Sequence, residues 1–308
     1  MKRNLLCLFW GFFVLVLFSN CFASSPDSLN GKGEYINGKK AGPWKYFRAD
    51  GTMYYQCNYT DGVLNGNYQS YFQDGKIALE GNYQAGKELG VFISYYHNGR
   101  IASKKNYDYG ILYGKSEEFF ENGNQYREEY YKEFLRIGDW KQWYENGQLN
   151  WTASYVDGRQ TGKYISYYEG GNKKEEGIYE NDSRIGKWIF YNENGTLQQE
   201  RFYKGGLLTG VNTKYFQSGK VKEETHYMDN EKEGFYFLYN ENGQKLISGN
   251  FQKDLVNGEW QEFYENGKIK SRGFYVKGQK AGKWIYYNEA GKVMEKKKYE
   301  LNPERATW

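Results

Sequence analysis

The sequence predicts an all-β protein: one elongated, twisted antiparallel sheet, a β-hairpin solenoid of about eleven tandem 24-residue hairpins. Glycine recurs in two columns with a period of 24 residues, Asp-Gly or Asn-Gly pairs stand at the centre of most periods, and aromatic residues flank those pairs. A fixed internal period indicates a repeat architecture, and Asn-Gly between alternating apolar residues is typical of a hairpin. Because a single hairpin is marginally stable, we expect each to depend on its neighbours.

Four sets of residues that recur every 24 positions, here called columns, support the predicted turns and strands. The first occupies the predicted hairpin turns: Gly51, Gly75, Gly99, Gly123, Gly147, Gly171, Gly195, Gly219, Gly243, Gly267 and Gly291. A second glycine column runs in the same steps from Gly42 to Gly282. Aromatic columns run from Phe47 to Tyr287 in the first strand of each hairpin and from Tyr59 to Tyr299 in the second. Their rings are expected to provide most of the burial.

Connecting turns between hairpins form a further column. Most members are Gly, and the others are Asp182, Asn230, Asp254 and Asn302, which tolerate a left-handed backbone better than other residues. Phe134 is the single exception. The lone strand that contains Gly33 and Tyr35 is expected to precede the first full hairpin.

Treating the Asp-Gly and Asn-Gly pairs as two-residue turns fixes which residues face each other. Position 188 then faces 201, and position 260 faces 273, so that Trp188 meets Arg201 and Trp260 meets Gly273. An aromatic ring can replace the missing side chain of a strand glycine. We therefore expect each ring to contact the small or cationic residue that faces it.

Five tryptophans are the candidate binding surface: Trp44, Trp140, Trp188, Trp260 and Trp284. The two interpretations are structural stacking between hairpins and an exposed aromatic strip that binds a ligand. Ser116 and Asn212 interrupt this column 96 residues apart, and the two interpretations are surface specialisation and simple drift of the repeat.

The N-terminus predicts export. Residues 1–23 combine a basic start, an apolar run from Leu5 to Phe18 and a small-residue cleavage site after Ala23, which is typical of a signal peptide. Residues 24–30 are interpreted as a linker, 31–302 as the repeat array and 303–308 as a C-terminal tail. We expect the periplasm, outer membrane or extracellular space. Cys21 also permits lipoprotein anchoring, although Asn20 before it fits that processing poorly.

The charge balance and the composition of the chain argue against several classes of function. Without Lys2 and Arg3 the chain has 40 basic and 38 acidic side chains, too even a balance to favour nucleic acid. His97 and His226 lie far apart in sequence, so we predict no catalytic residues, no metal site and no cofactor. Cys57 is the one cysteine in the repeats; of two interpretations, a reactive thiol and a small apolar residue in a strand, we favour the second.

A family resemblance rests on the pattern G-x-W-x-x-Y-x-x-N-G followed by G-x-Y and a closing glycine. One copy is formed by Gly258, Trp260, Phe263, Asn266, Gly267, Gly273, Tyr275 and Gly278. It resembles the variant form of the MORN repeat over about Gly31 to Asn302. The resemblance implies tandem antiparallel hairpins that serve as a scaffold for protein or lipid contact. Bacterial relatives are often labelled antitoxins of toxin-antitoxin pairs; the export signal argues against that label, because an exported protein would not meet a cytoplasmic toxin.

The sequence therefore favours a non-enzymatic repeat scaffold that mediates protein-protein interaction in the cell envelope, with an unknown protein as partner. One alternative is a glycan-binding module that uses exposed Trp and Tyr rows. Another is an antitoxin-like or membrane-associated MORN protein with a lipid contact.

Overall fold

A computed structural model describes residues 29–302, and all its regular elements are β-strands of one 26-stranded antiparallel sheet. The strands are β1 Asn30–Ile36, β2 Lys39–Phe47, β3 Met53–Thr60, β4 Val63–Tyr71, β5 Ile77–Gln84, β6 Lys87–Glu88, β7 Gly90–Tyr95, β8 Ile101–Asp108, β9 Ile111–Phe119, β10 Gln125–Lys132, β11 Leu135–Arg136, β12 Gly138–Trp143, β13 Leu149–Val156, β14 Arg159–Tyr167, β15 Lys173–Glu180, β16 Ser183–Tyr191, β17 Leu197–Lys204, β18 Leu207–Tyr215, β19 Val221–Met228, β20 Glu231–Tyr239, β21 Lys245–Gln252, β22 Leu255–Val256, β23 Gly258–Phe263, β24 Ile269–Val276, β25 Gln279–Tyr287 and β26 Val293–Tyr299.

The strands pair in chain order, which confirms the predicted fold class. Strand β1 pairs with β2, and each following hairpin pairs with the next. Three first strands are divided, into β6 and β7, β11 and β12, and β22 and β23, so the sheet consists of one lone strand and eleven hairpins. Among residues 29–302 the sheet stays open, with β1 at one edge and β26 at the other.

The predicted register is correct, but the predicted hairpin turn is wrong. Trp188 pairs with Arg201 and Trp260 with Gly273, as expected. The loop nevertheless has three residues: the Asn192 amide donates to the Thr196 carbonyl at 2.8 Å, and only Gly195 has a positive φ, of 82°. This is a turn followed by a glycine bulge. A second irregularity near Leu197 restores the register, so the two differences cancel.

Asn194 has a different role in this loop from the one that the sequence suggested, because its backbone does not have a positive φ. Instead, the Asn194 carboxamide oxygen accepts from the Thr196 amide at 3.0 Å, which closes the turn from the side chain. Both residues of each connecting turn do have positive φ, from Asn37 and Gly38 at 52° and 76° to Lys277 and Gly278 at 47° and 80°. These are therefore the two-residue left-handed turns.

The second glycine column forms a β-bulge in every hairpin. In the repeat that contains Gly186, the pairing between β15 and β16 slips between Glu176 and Ile178, and Gly186 has a φ of 62°. A bulge bends the strand and increases its local twist. Because the bulge recurs once per hairpin, we expect a regular bend of the sheet along this column.

Replacing Gly186 by alanine isolates the backbone contribution of this bulge. An added Cβ would meet nothing within 4 Å, so the expected loss of about 1 kcal/mol in unfolding free energy comes from the left-handed backbone alone. Chemical denaturation followed by circular dichroism measures it. Gly170, which has open space and no positive φ, supplies the control because Gly170→Ala is expected to change stability very little. An equal effect at both positions would contradict the bulge assignment.

Hydrogen bonds join successive hairpins at both rims of the sheet. At the hairpin-turn rim, the Tyr168 hydroxyl donates to the Tyr191 carbonyl at 2.9 Å. At the connecting-turn rim, the Gly206 amide donates to the Arg184 carbonyl at 2.9 Å. Equivalent bonds recur along the array, so neighbouring repeats are held together by more than the strand ladder.

Several sequence predictions fall outside the structure. The signal peptide of residues 1–23, the anchoring cysteine Cys21, most of the 24–30 linker and the 303–308 tail lie outside the described residues. The described end of the linker differs slightly from expectation, because β1 begins at Asn30.

Candidate interaction surface

The five candidate tryptophans are core residues, so the structure corrects their assignment as a binding surface. Trp44, Trp140, Trp188, Trp260 and Trp284 are each exposed by 9 % or less. A partner cannot contact these rings while the sheet is intact. Their burial agrees with the other interpretation, in which the rings stack between neighbouring hairpins.

Trp188 shows how a ring becomes buried in a single sheet. Its indole lies flat over Gly177 of the neighbouring strand, and its Nε1 donates to the Ile178 carbonyl at 3.3 Å. Tyr179 and Tyr203 flank it edge-on, with ring centroids at 5.0 and 6.3 Å. The glycine that the ring covers thus belongs to the preceding hairpin, whereas the expected contact was with the residue that faces the ring across its own hairpin.

A cation completes the enclosure of most of these rings. The Arg184 guanidinium lies 3.9 Å from the Trp188 ring centroid and pairs with Glu175 at 3.1 Å. A cation also stands four residues before three other tryptophans, as Lys40 over Trp44, Arg136 over Trp140 and Lys280 over Trp284, at 4.6, 4.8 and 4.0 Å. Such contacts stabilise partly desolvated rings. A Lys or Arg four residues before the tryptophan can be read from the sequence, but this position is not part of the repeat motif.

Ser116 and Asn212 do not lie on a surface either. They are exposed by 2 % and 4 %, and they place polar side chains where other hairpins have buried rings. Gln199 Nε2 donates to the Asn212 carboxamide oxygen at 2.7 Å. Opposite Ser116, burial raises the pKa of Glu129, whose carboxylate accepts from the Tyr131 hydroxyl at 3.0 Å. Both interruptions are therefore part of the interior.

Cys57 is also interior. It is 3 % exposed opposite Trp44, and burial raises the pKa of its thiol to about 11. A thiol that stays protonated at neutral pH is a weak nucleophile. The interpretation as a small apolar residue in a strand is confirmed, because Cys57 lies in β3.

One connecting turn has an unfavourable residue at its second position. Phe134 has a φ of 65° and follows Glu133 at 50°, although left-handed backbone costs an ordinary side chain about 1–2 kcal/mol. Its amide still reaches the Leu112 carbonyl, at 3.3 Å, where equivalent turns have bonds near 2.9 Å. The Phe134 side chain is 60 % exposed, so intramolecular packing does not offset this cost.

Exposed apolar side chains lie on this turn, on β9 beside it and on the turn that precedes β9. We define the rim patch as Tyr109, Ile111, Tyr113, Phe134 and Leu135, which are 38–60 % exposed. Ile111 and Tyr113 lie on β9, and the Phe134 amide bonds to that strand at Leu112. Elsewhere the same rim has further exposed aliphatic residues, namely Ile36, Val63, Val156, Leu207, Met228, Leu255 and Val276.

The surroundings of the rim patch are polar and charged. Lys132 faces Leu135 across the turn, and Asp108 faces Ile111. An apolar centre that includes aromatic rings within a charged border is typical of protein-protein interfaces. Contiguous exposed apolar groups on a soluble protein commonly mark such contacts. Sequence reasoning identified Phe134 as an anomaly, but it did not connect that residue with the other four.

Other kinds of site find no support in the described part of the chain. No group of three His, Cys, Asp or Glu side chains within residues 29–302 is placed to hold a metal ion. The same range contains no helix long and apolar enough to cross a membrane.

Comparison with solved structures gives only weak likenesses. The crystal structure of TcdB2-TccC3-Cdc42 is 9 % identical with a TM-score of 0.19, and covers 91 % of this chain and 19 % of its own. The Tc holotoxin pore of Photorhabdus luminescens, with the mutation TccC3-D651A, is 12 % identical with a TM-score of 0.17, and covers 85 % and 18 %. The chain thus spans about a fifth of these chains, and scores this low carry no argument. No curated protein matches.

The family comparison is specific. The model described as MORN repeat variant matches residues 64–85, 88–109, 136–157, 160–181, 184–204, 208–229 and 256–277. Their starting points are separated by multiples of the 24-residue period, and each match covers one structural repeat. Residues 110–135, which contain four of the five rim-patch residues, lie between two matches. Seven in-phase matches and the hairpin sheet show that this chain belongs to the MORN repeat variant family.

Proposed function

We propose that this chain is a non-enzymatic scaffold in the cell envelope that binds a protein partner through the rim patch. Repeats of this family generally serve as scaffolds for contact with proteins or membranes and are generally not enzymes. The envelope location rests on the apolar segment and cleavage pattern of residues 1–23.

The observation that carries the proposal is the Phe134 turn. Each of the ten other connecting turns within residues 29–302 has at least one Gly, Asp or Asn among its two residues of positive φ. This turn has none of these, because it combines Glu133 with an exposed Phe134. A residue that destabilises the free protein and points into water suggests a role in binding. Four further exposed apolar side chains around it provide the rest of an anchor.

A protein partner fits this surface better than a sugar or a lipid bilayer. Aromatic and aliphatic anchors surrounded by charged residues are the common composition of interface centres. Charges of both signs border the rim patch, Asp108 and Glu133 as well as Lys132, so it lacks the cluster of basic residues that attracts an anionic lipid surface.

We predict opposite effects of Phe134→Gly on stability and on binding. Glycine relieves the left-handed strain, so the unfolding free energy is expected to rise by about 1 kcal/mol. Loss of the anchor ring is expected to weaken the partner complex by about tenfold or more. Denaturation measures the first effect and calorimetry with the captured partner measures the second.

The partner is found by affinity capture from a cell envelope fraction on the immobilised protein, followed by mass spectrometry. The wild type and Phe274→Ala, which removes another exposed ring, are expected to retain the same protein. The double replacement Phe134→Gly with Leu135→Ser is expected to lose it. If nothing is retained, or if this double variant retains the same partner equally well, the rim patch is not the binding surface.

A further inference from the structure

The last strand, β26, has an open edge. It pairs with β25 on one side, and no strand among residues 29–302 pairs with the other. Six of its seven residues are exposed, including Met294 at 70 %. Such an edge presents unpaired backbone N–H and C=O groups that can accept another strand.

Inside the sheet, two lysines of first strands, Lys115 and Lys187, each pair with a glutamate thirteen residues later. Lys115 pairs with Glu128 at 3.1 Å, and Lys187 pairs with Glu200 at 2.6 Å. Each pair joins the two strands of one hairpin on the face opposite the tryptophans. The glutamate position therefore serves as the local counter-charge in these hairpins.

This counter-charge is reversed at the edge. Thirteen residues after Lys283 stands Lys296, and Lys283 faces Lys298 across the pair of strands. Neither Lys283 nor Lys296 has an ion-pair partner in the described chain, and Lys298 reaches Glu300 at 3.8 Å with both side chains largely exposed. Like charges directly opposite each other destabilise a sheet. Three lysines on one face of an open edge thus lack adequate counter-charge.

We propose that β26 is a docking edge for an extended acidic segment of a partner protein. The segment adds as an antiparallel strand, so its backbone satisfies the open ladder. Alternate side chains of a strand share a face, and carboxylates at those positions would lie beside Lys283, Lys296 and Lys298. This proposal does not depend on the rim patch, which lies on β9 and β11 and the turns next to them. The competing interpretation is that these lysines only prevent the edge from pairing with another strand.

The probe is a labelled peptide of alternating valine and glutamate, blocked at both ends. Fluorescence anisotropy is expected to show saturable binding to the full chain that weakens as salt is added. Hydrogen exchange is expected to slow in residues 293–299. A peptide with the same charges but with methylated backbone nitrogens at alternate positions is expected not to bind, because it cannot form the ladder.

Charge reversal tests the lysines directly. The variant Lys296→Glu with Lys298→Glu is expected to bind the acidic peptide about tenfold more weakly and to accept an alternating valine-lysine peptide instead. Lys45→Glu with Lys204→Glu makes the same charge change at exposed residues of inner strands and is expected to leave binding unchanged. Phe134→Gly is also expected to have no effect, which separates this site from the rim patch. Absence of binding, binding of the methylated peptide or indifference to Lys296→Glu with Lys298→Glu would overturn the proposal.

Discussion

Replacement of Trp188 by alanine is expected to lower the unfolding free energy by about 3–5 kcal/mol, the range for a buried aromatic residue. The indole is 0 % exposed, and it lies between the backbone of Gly177 and the guanidinium of Arg184. Its removal would leave a cavity, an unpaired Ile178 carbonyl and a cation without its ring. Denaturation followed by circular dichroism provides the measurement.

The matched control is another aromatic residue on the same array. Phe274 is 52 % exposed, so Phe274→Ala is expected to change stability by less than about 0.5 kcal/mol. Hydrogen exchange adds spatial information, because Trp188→Ala should weaken protection most in β15 to β17. A change at Trp188 as small as that at Phe274 would show that the ring is not enclosed as described.

Gly177→Ala is the second substitution with a large expected effect, about 1–3 kcal/mol of destabilisation from overpacking. A Cβ built at this position falls well inside 3.0 Å of the Trp188 ring carbons, a separation that real Cβ atoms essentially never show. The ring cannot move away freely, since Tyr179 and Tyr203 hold its edges. Denaturation again provides the measurement.

A double-mutant cycle tests whether this cost comes from the ring. In the background of Trp188→Leu, a smaller side chain leaves room for a methyl group, so Gly177→Ala should cost much less than in the wild type. The interaction energy of residues in contact is typically about 0.5–3 kcal/mol. Strict additivity of the two changes would contradict a direct contact, and Gly170→Ala serves as the neutral glycine control.

Much of the fold could be predicted because its information is local and periodic. The turn glycines, the aromatic columns and the pairing of Trp188 with Arg201 all follow from a count of residues. The turn containing Asn194 was mispredicted, because Asn-Gly is compatible with more than one loop type and a compensating irregularity near Leu197 hides the difference.

The candidate site was harder to predict because exposure depends on neighbouring strands. Nothing in the repeat pattern says whether Trp260 faces water or its neighbours. Phe134 was conspicuous in the sequence as a poor residue for a left-handed turn, but its proximity to Ile111 and Tyr113 depends on the pairing of neighbouring strands. The sequence motif also assigned the covered glycine to the wrong hairpin.

By itself, the sequence determined the repeat period, the strand register and the family, because each depends on residues close together in the chain. Tertiary structure decided which aromatic residues are buried and which remain for a partner. The physical reason is that an indole in a one-layer sheet is enclosed only when a glycine, two aromatic edges and a cation from three strands meet around it, as they do at Trp188.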